Sequence, residues 1–324
     1  MTTIYNQNEI KLAIINNEKI EDKLHVIVVI SNPCLYKTRY RLIREFISRI
    51  ESTEPNVILY VVELVYKNQD FAITENHNKY HLQLRTSEVL WHKENLINLG
   101  VKYLLPNNWK AMAWIDGDIE FESTTWVDDT LKILNGSKDI VQLFSHCVDM
   151  NKNNETMNIF TSFSYQYCKN MKYVASRPNT DINFWHTGYG WACNRKTYEK
   201  IGGLYENAIL GSGDNIISLC LIGKIDESIY IKGSNKYKDS VKQYEKNISN
   251  LRLGYVPGVI RHYYHGSKQN RKYVERADIL LKYNYNPFNH ISKDDKGVII
   301  PSNFCPNDFL KDIMCYFLER NEDE

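Results

Sequence analysis

The chain has 324 residues, 43% hydrophobic and 24% charged, which is enough to bury a large core in one big domain or two ordinary ones. Its net charge of +1 excludes the global electrostatic attraction that nucleic acid or an acidic membrane surface would use. Seven scattered cysteines with no C-x-x-C pair argue against a disulfide framework and a zinc site, so a reducing, cytoplasmic setting is expected. Residues 1–23 place acidic and amide side chains where a signal peptide needs an uninterrupted apolar run, and no later segment reads as a membrane span. They are expected as an N-terminal extension. His25 to Ile30 (HVIVVI) then reads as a strand ending at Ser31-Asn32-Pro33, and Arg39 to Ile50 as an amphipathic helix. Val57 to Val65 is a second buried strand, and Leu84 to Leu99 has helical spacing with Gly100 as its expected C-terminal cap.

Ala111 to Phe121 (AMAWIDGDIEF) is a core strand that ends in two aspartates separated by one glycine. Two such carboxylates repel each other unless a cation lies between them, and hard oxygen ligands suit Mg²⁺ or Mn²⁺. A surface turn is the competing reading, because D-G is a common turn dipeptide. Asp128 to Leu134 reads as helix and Ile140 to Phe144 as strand, whereas Asp149 to Asn183 is polar and Asn-rich and is expected as an irregular loop. This alternation predicts an α/β fold: a mixed, mostly parallel sheet flanked by helices, with ligands beyond the carboxyl ends of its strands.

His186 to Asn215 is dense in glycine. Within it, Thr197 to Ile201 is a short helical turn, and Gly211-Ser212-Gly213 presents Asp214 at the mouth of a helix over Asn215 to Ile222, as a helix cap, a catalytic carboxylate or both. Val259 to Arg276 delivers His262 and His265, then Lys268, Arg271, Lys272 and Arg276, the one concentrated basic patch of the chain. Imidazole binds Mn²⁺ and the following cations suit a diphosphate, against the alternative of two structural histidines beside a solvated helix face. From Asn307 the apolar positions Phe309, Leu310, Ile313, Met314 and Phe317 predict one face of a helical tail.

The order of apolar strand, D-x-D, glycine-rich segment with a late acid, then histidine and basic residues resembles nucleotide-sugar glycosyltransferases of the GT-A fold. The likeness is to glycosyltransferase family 2 and to the galactosyltransferases, and it spans roughly residues 24 to 276. WIDGDIEF is similar to their D-x-D strand. GYGWACNRKTYEKIGGLYENAILGSGDN is similar to the segment written G-G-x-x-x-x-x-R, G-F-D-E, G-E-D, with Tyr205-Glu206 replacing Asp-Glu and Gly213-Asp214 replacing Glu-Asp. The resemblance implies a GT-A (Rossmann-like) catalytic domain over 24–276, with a nucleotide-sugar half at 24–122, an acceptor half at 123–276, and a helical tail at 277–324.

It also implies a metal site of Asp116, Asp118 and His265, with His262 competing for the third position. Asp116 touches the ion or the ribose, and Lys268 and Arg271 hold the diphosphate. Ser31, Asn32, Arg85, Lys93 and Asn95 frame the nucleoside, although Lys93-Glu94-Asn95 also reads as an exposed helix segment. Trp191 is either a sugar-stacking ring or core packing. Asp214 is the expected base of an inverting hexosyl transfer from a donor, UDP-linked by default, to a glycan, protein or small-molecule acceptor. A haloacid-dehalogenase-type phosphatase is disfavoured because Glu120 stands where its D-x-D-x-T motif ends. A sugar nucleotidyltransferase wants a glycine-rich loop with a Lys or Arg directly after the first strand, and Ser31-Asn32-Pro33-Cys34 lacks one. A non-catalytic sugar-nucleotide-binding protein of the same fold is the remaining alternative.

Overall fold

The computed structural model describes residues 7–174 and 181–324; the start of the N-terminal extension and part of the Asn-rich segment lie outside the described residues. Helix α1 (Gln7–Asn16) precedes β1 (Leu24–Ser31), α2 (Lys37–Thr53), β2 (Val57–Tyr66), β3 (His81–Thr86), α3 (Lys93–Leu104) and β4 (Ala111–Ile115). In β1 the side chains alternate between two apolar cores. Leu24, Val26, Val28 and Ile30 join Phe46 of α2, while Ile27 joins Leu96 and Leu99 of α3. Burial on both faces explains why β1 and β2 are nearly continuous apolar runs.

The segment read as one helix from Leu84 divides instead into strand β3 and helix α3. HLQLRT pairs in parallel with β2 from Val61 to Tyr66. Gly100 is therefore inside α3 and caps nothing. A Cβ there would lie 3.0 Å from Val62 and 3.1 Å from Ile27, so the glycine lets the helix settle onto the sheet.

The chain continues through β5 (Ile119–Phe121), α4 (Trp126–Ile133), β6 (Ile140–Gln142), β7 (His146–Met150), β8 (Thr156–Ser162), α5 (Phe163–Cys168), β9 (Trp185–His186) and β10 (Gly190–Asn194). The polar segment expected as a loop thus carries the end of β7, all of β8, and α5. Polarity misled because β8 is exposed over its first half and buried only at Phe160, Thr161 and Ser162. Next come α6 (Arg195–Ile201), α7 (Gly213–Leu221), α8 (Asn235–Ile248), β11 (Leu253–Tyr255), β12 (Val259–His262), α9 (Arg276–Lys282), α10 (Pro287–His290), the hairpin β13 (Ile291–Lys293) with β14 (Ile299–Pro301), and α11 (Asn307–Glu319).

The fold is a mixed, mostly parallel sheet between helices. Seven strands run in the order β11-β6-β10-β4-β1-β2-β3, with β10 antiparallel to both β4 and β6. A second sheet, β5-β12-β7-β8-β9, carries chain from the end of β4 across the mouth of the first. Since Gly190 of β10 pairs with Ile115 of β4, the amino end of β10 meets the carboxyl end of β4, and functional loops converge there. No helix among the described residues is long and apolar enough to cross a membrane.

Candidate functional site

The two aspartates lie in the link between β4 and β5, on the wall of a cavity of about 500 Å³. The Asp116 amide donates to Tyr189 O at 2.7 Å, and the Tyr263 amide donates to Asp118 O at 2.9 Å, so both neighbouring elements fix the turn. Gly117 is needed here for clearance, since a Cβ would come within 3.1 Å of Ile43 on α2.

Asp118, His262 and His265 converge. Asp118 Oδ2 is 2.9 Å from His265 Nε2 and 3.8 Å from His262 Nε2, and the two imidazole nitrogens are 3.4 Å apart. Strand pairing sets this up, because His262 lies opposite Ile119 on one side and Asp149 on the other. Behind His262, its Nδ1 is 2.7 Å from Asp149 Oδ1. Behind His265, its Nδ1 is 3.7 Å from Glu322 Oε2. For His262, the Asp149 carboxylate favours Nδ1–H and leaves Nε2 as the lone-pair donor facing Asp118, the usual support for metal-binding histidines; Glu322 stands behind His265 at longer range. Among the described residues, Asp118 Oδ1 is buried without a hydrogen-bond partner. One oxygen and two nitrogen donors within 4.8 Å of one another, on a carboxylate whose second oxygen is unsatisfied, fit a divalent ion such as Mn²⁺.

The electrostatics agree with that use. Burial opposes charge on Asp118, but His265, His262 and Arg271 outweigh it and hold the carboxyl well below the usual range. Asp149 is likewise pulled down to about 2, against burial, by His262 and Lys268. Burial lowers His262 despite the opposing pull of Asp149 and Asp118, which favours the neutral, ligating ring.

Asp116 has different partners. Lys93 Nζ is 2.6 Å from Asp116 Oδ1 and 3.1 Å from Asp214 Oδ2, so the ammonium bridges the two carboxylates. Burial opposes charge on Lys93, yet Asp116 and Asp214 hold it above its ordinary range. Burial, helped by Asp214 and Asp118 against the pull of Lys93, pushes Asp116 up to about 6. Asp214 lies inside the first turn of α7 and is not its cap; Ser212, at φ 76°, is the capping position and makes no side-chain capping bond.

Ser31, Lys93, Asp116, Asp118, Asp214, His262, His265, Lys268 and Arg271 all line the cavity. Lys268 is engaged by Asp149. Arg271 Nη2 is 2.9 Å from His265 Nε2, its Nη1 donates to Tyr273 Oη at 3.0 Å, and its Nε is buried without an acceptor. Four expected residues are elsewhere. Asn32 is buried and spends its amide on Tyr36 backbone atoms, while Arg85 is exposed and donates to Lys67 O and to Gln69 O at 2.9 Å. Asn95 binds Glu206, Gly297 O and the Ile299 amide, and Trp191 is 1% exposed in the middle of the sheet, donating to Thr187 O.

Other site residues had no sequence signal. Glu322 is fully enclosed by Arg39, at 2.5 and 2.6 Å across nearly the whole chain length, and by the nearby Arg320, at 2.6 and 2.7 Å. Gly266 makes that docking fit: its φ is +86°, and a Cβ would be 2.9 Å from Glu322 Cα. Asp149 was hidden in the polar segment, although its place opposite His262 would have been readable had β7 and β12 been recognised as neighbours. An aromatic wall closes the other side, with His186 and Tyr189 stacked at 4.0 Å and Tyr189 4.6 Å from the His262 ring.

No protein-family profile matches the sequence, and no curated protein matches it. Among solved structures, it is similar to the catalytic domain of Drosophila β1,4-galactosyltransferase 7 in complex with xylobiose (10% identity, 87% of this chain and 93% of that chain covered, TM-score 0.40). A variant of the same enzyme, in complex with manganese, UDP-Gal and xylobiose, gives 9% identity, 86% and 93% coverage and a TM-score of 0.40. The inositol-1-phosphate CTP transferase from T. maritima gives 13%, 80% and 96%, and 0.38. These neighbours are nucleotide-sugar transferases and nucleotidyltransferases.

Proposed function

We propose that the protein is a metal-dependent glycosyltransferase that moves a hexose from a nucleoside-diphosphate sugar, preferably UDP-linked, to an acceptor hydroxyl. The observation that carries this reading is the convergence of Asp118, His262 and His265, on a carboxylate whose other oxygen is buried with no partner among the described residues, beside the Arg271 guanidinium, which forms no ion pair with a carboxylate among them. A divalent ion bound there supplies positive charge to the diphosphate as its sugar bond breaks.

The rest of the chemistry belongs to the side chains. Arg271 offers a phosphate oxygen its Nε–H, which has no acceptor among the described residues, whereas Lys268, occupied by Asp149, contributes field and holds the His262 support in place. The C1–O bond of the donor breaks with its electron pair going to the diphosphate, and the acceptor oxygen bonds to C1 from the opposite face. Asp214 accepts the acceptor's proton, with Lys93 fixing its carboxylate and Asp116 sharing that lysine. The working unit extends beyond residues 24–276, because Glu322 and Arg320 come from the tail.

The test is product analysis of UDP-sugars incubated with the protein and Mn²⁺. The reading predicts UDP and a transferred or hydrolysed sugar with inverted anomeric configuration. UTP formed from UDP-sugar and pyrophosphate would instead identify a nucleotidyltransferase.

A further inference from the structure

Arg276 is, after Arg271, the second buried arginine of the cavity that forms no ion pair with a carboxylate among the described residues. It is 6% exposed and lines the wall on the Asp214 side. Its Nη1 donates to Tyr316 Oη at 3.0 Å and its Nη2 to Ser212 Oγ at 2.6 Å, while its Nε is buried with no acceptor. Rings of Trp91, Tyr230 and Tyr273 surround the guanidinium carbon at 6.0, 5.4 and 5.2 Å. The neighbouring Arg320 shares Tyr316 Oη but has Glu322 as its counter-charge; among the described residues Arg276 forms no such ion pair. Gly211 makes room for the arrangement, since a Cβ there would lie 3.1 Å from Arg276 Nη1 and 3.2 Å from Trp91.

Aromatic faces and two hydroxyls orient a guanidinium without giving it a carboxylate counter-charge, and a desolvated cation of this kind is stabilised most by an anion that takes its free N–H groups side-on. Ser212 is two residues from Asp214, whereas Arg271 stands against His265 of the metal-site residues. Tyr273 lies against both guanidiniums, but Arg271 is held at a metal-site histidine and Arg276 at the serine two residues before Asp214, so the donor's diphosphate is given to Arg271 and a second anion to Arg276.

We propose that Arg276, held by Ser212 and Tyr316, is a recognition site for an anionic group, carboxylate or phosphate, on the sugar or acceptor bound next to Asp214. This rests on the donor's diphosphate occupying the Asp118–His262–His265 end. The site restricts the substrate class to acidic or phosphorylated sugars.

Calorimetric titration of inorganic phosphate into protein saturated with Mn²⁺ and UDP tests it, because the diphosphate position is then filled. The expected result is phosphate binding that Arg276→Gln weakens about tenfold or more, while UDP affinity stays within about twofold. No phosphate binding to the UDP-loaded protein, or equal binding by the variant, overturns the proposal. So does a parallel loss of UDP affinity, which marks Arg276 as a structural staple. A preference for UDP-glucuronic acid over UDP-glucose that Arg276→Gln removes places the anion on the transferred sugar. Competition between glucose 6-phosphate and phosphate on the UDP-loaded protein places it on the acceptor. If UDP does not bind with Mn²⁺, the glycosyltransferase reading fails separately, and phosphate titration of Arg271→Gln with and without Arg276→Gln still decides the arginine site.

Discussion

At the scale of single residues, the D-x-D pair divides its labour. Asp118 faces two imidazoles and keeps one oxygen unsatisfied, whereas Asp116 is drawn to Lys93 and, through it, to Asp214. Their substitutions should therefore differ in kind. Asp118→Ala removes a donor and is expected to abolish metal-dependent donor binding and transfer together. Asp214→Asn keeps the size and one oxygen of the side chain but not its basicity, so donor binding should persist while transfer falls by about 10²- to 10⁴-fold. Titration calorimetry paired with transfer assays separates them; unchanged transfer by Asp214→Asn would remove it as the base. The motif residues were legible because their chemistry is local: D-x-D after a core strand, and histidines three apart followed by cations. Asn32 and Asn95 are spent elsewhere, and Trp191 takes its core-packing alternative, because sequence gives the residue type but not which neighbour has already taken its hydrogen bonds.

At the scale of elements, the tail is part of the site. Helix α11 buries Phe309, Ile313, Tyr316 and Phe317, and the turn after it inserts Glu322 between Arg39 and Arg320, behind His265. Apolar spacing announced the helix, but nothing local announced Glu322, whose partners Arg39 and His265 are remote in sequence. A carboxylate that orients a metal-binding imidazole typically matters on the order of 10- to 100-fold in metal affinity. Glu322→Gln should weaken Mn²⁺ binding by that order, a change readable by calorimetry beside the protein's melting temperature; wild-type Mn²⁺ affinity in the variant would exclude the role. Helix α3 teaches a related lesson. A glycine at the end of a periodic stretch suggested a cap, whereas Gly100 serves close packing against Val62 and Ile27. Gly100→Ala overpacks that contact and is expected to cost about 1–3 kcal/mol, measurable as a lower denaturation midpoint.

At the scale of the whole molecule, the alternation of strands and helices was readable because strands buried on both faces are nearly continuous apolar runs. The second sheet was not, since its strands are short, partly exposed and joined by polar chain. Stability should carry a signature of that packed core in acid. Burial lowers His25, bonded to Tyr60 and 3.7 Å from Glu21, to about 4, and His92, between Tyr66 and Ile299 O, to about 4. Unfolded, both titrate near 6.5, so the unfolded chain binds more protons between pH 6.5 and 4. Stability should fall as pH drops through that window, and these two residues should add no slope above it. Urea unfolding at pH 7 and pH 5 checks this, with His92→Gln expected to flatten the difference.

The central claim is that Asp118, His262 and His265 form one metal-dependent donor site. Calorimetric titration of UDP into the wild-type protein, with Mn²⁺ and again in excess chelator, tests it most directly. Binding with Mn²⁺ that disappears in chelator, and that is lost in His265→Ala, is the predicted result. Equal UDP binding in chelator, or an undiminished response in His265→Ala, would contradict it.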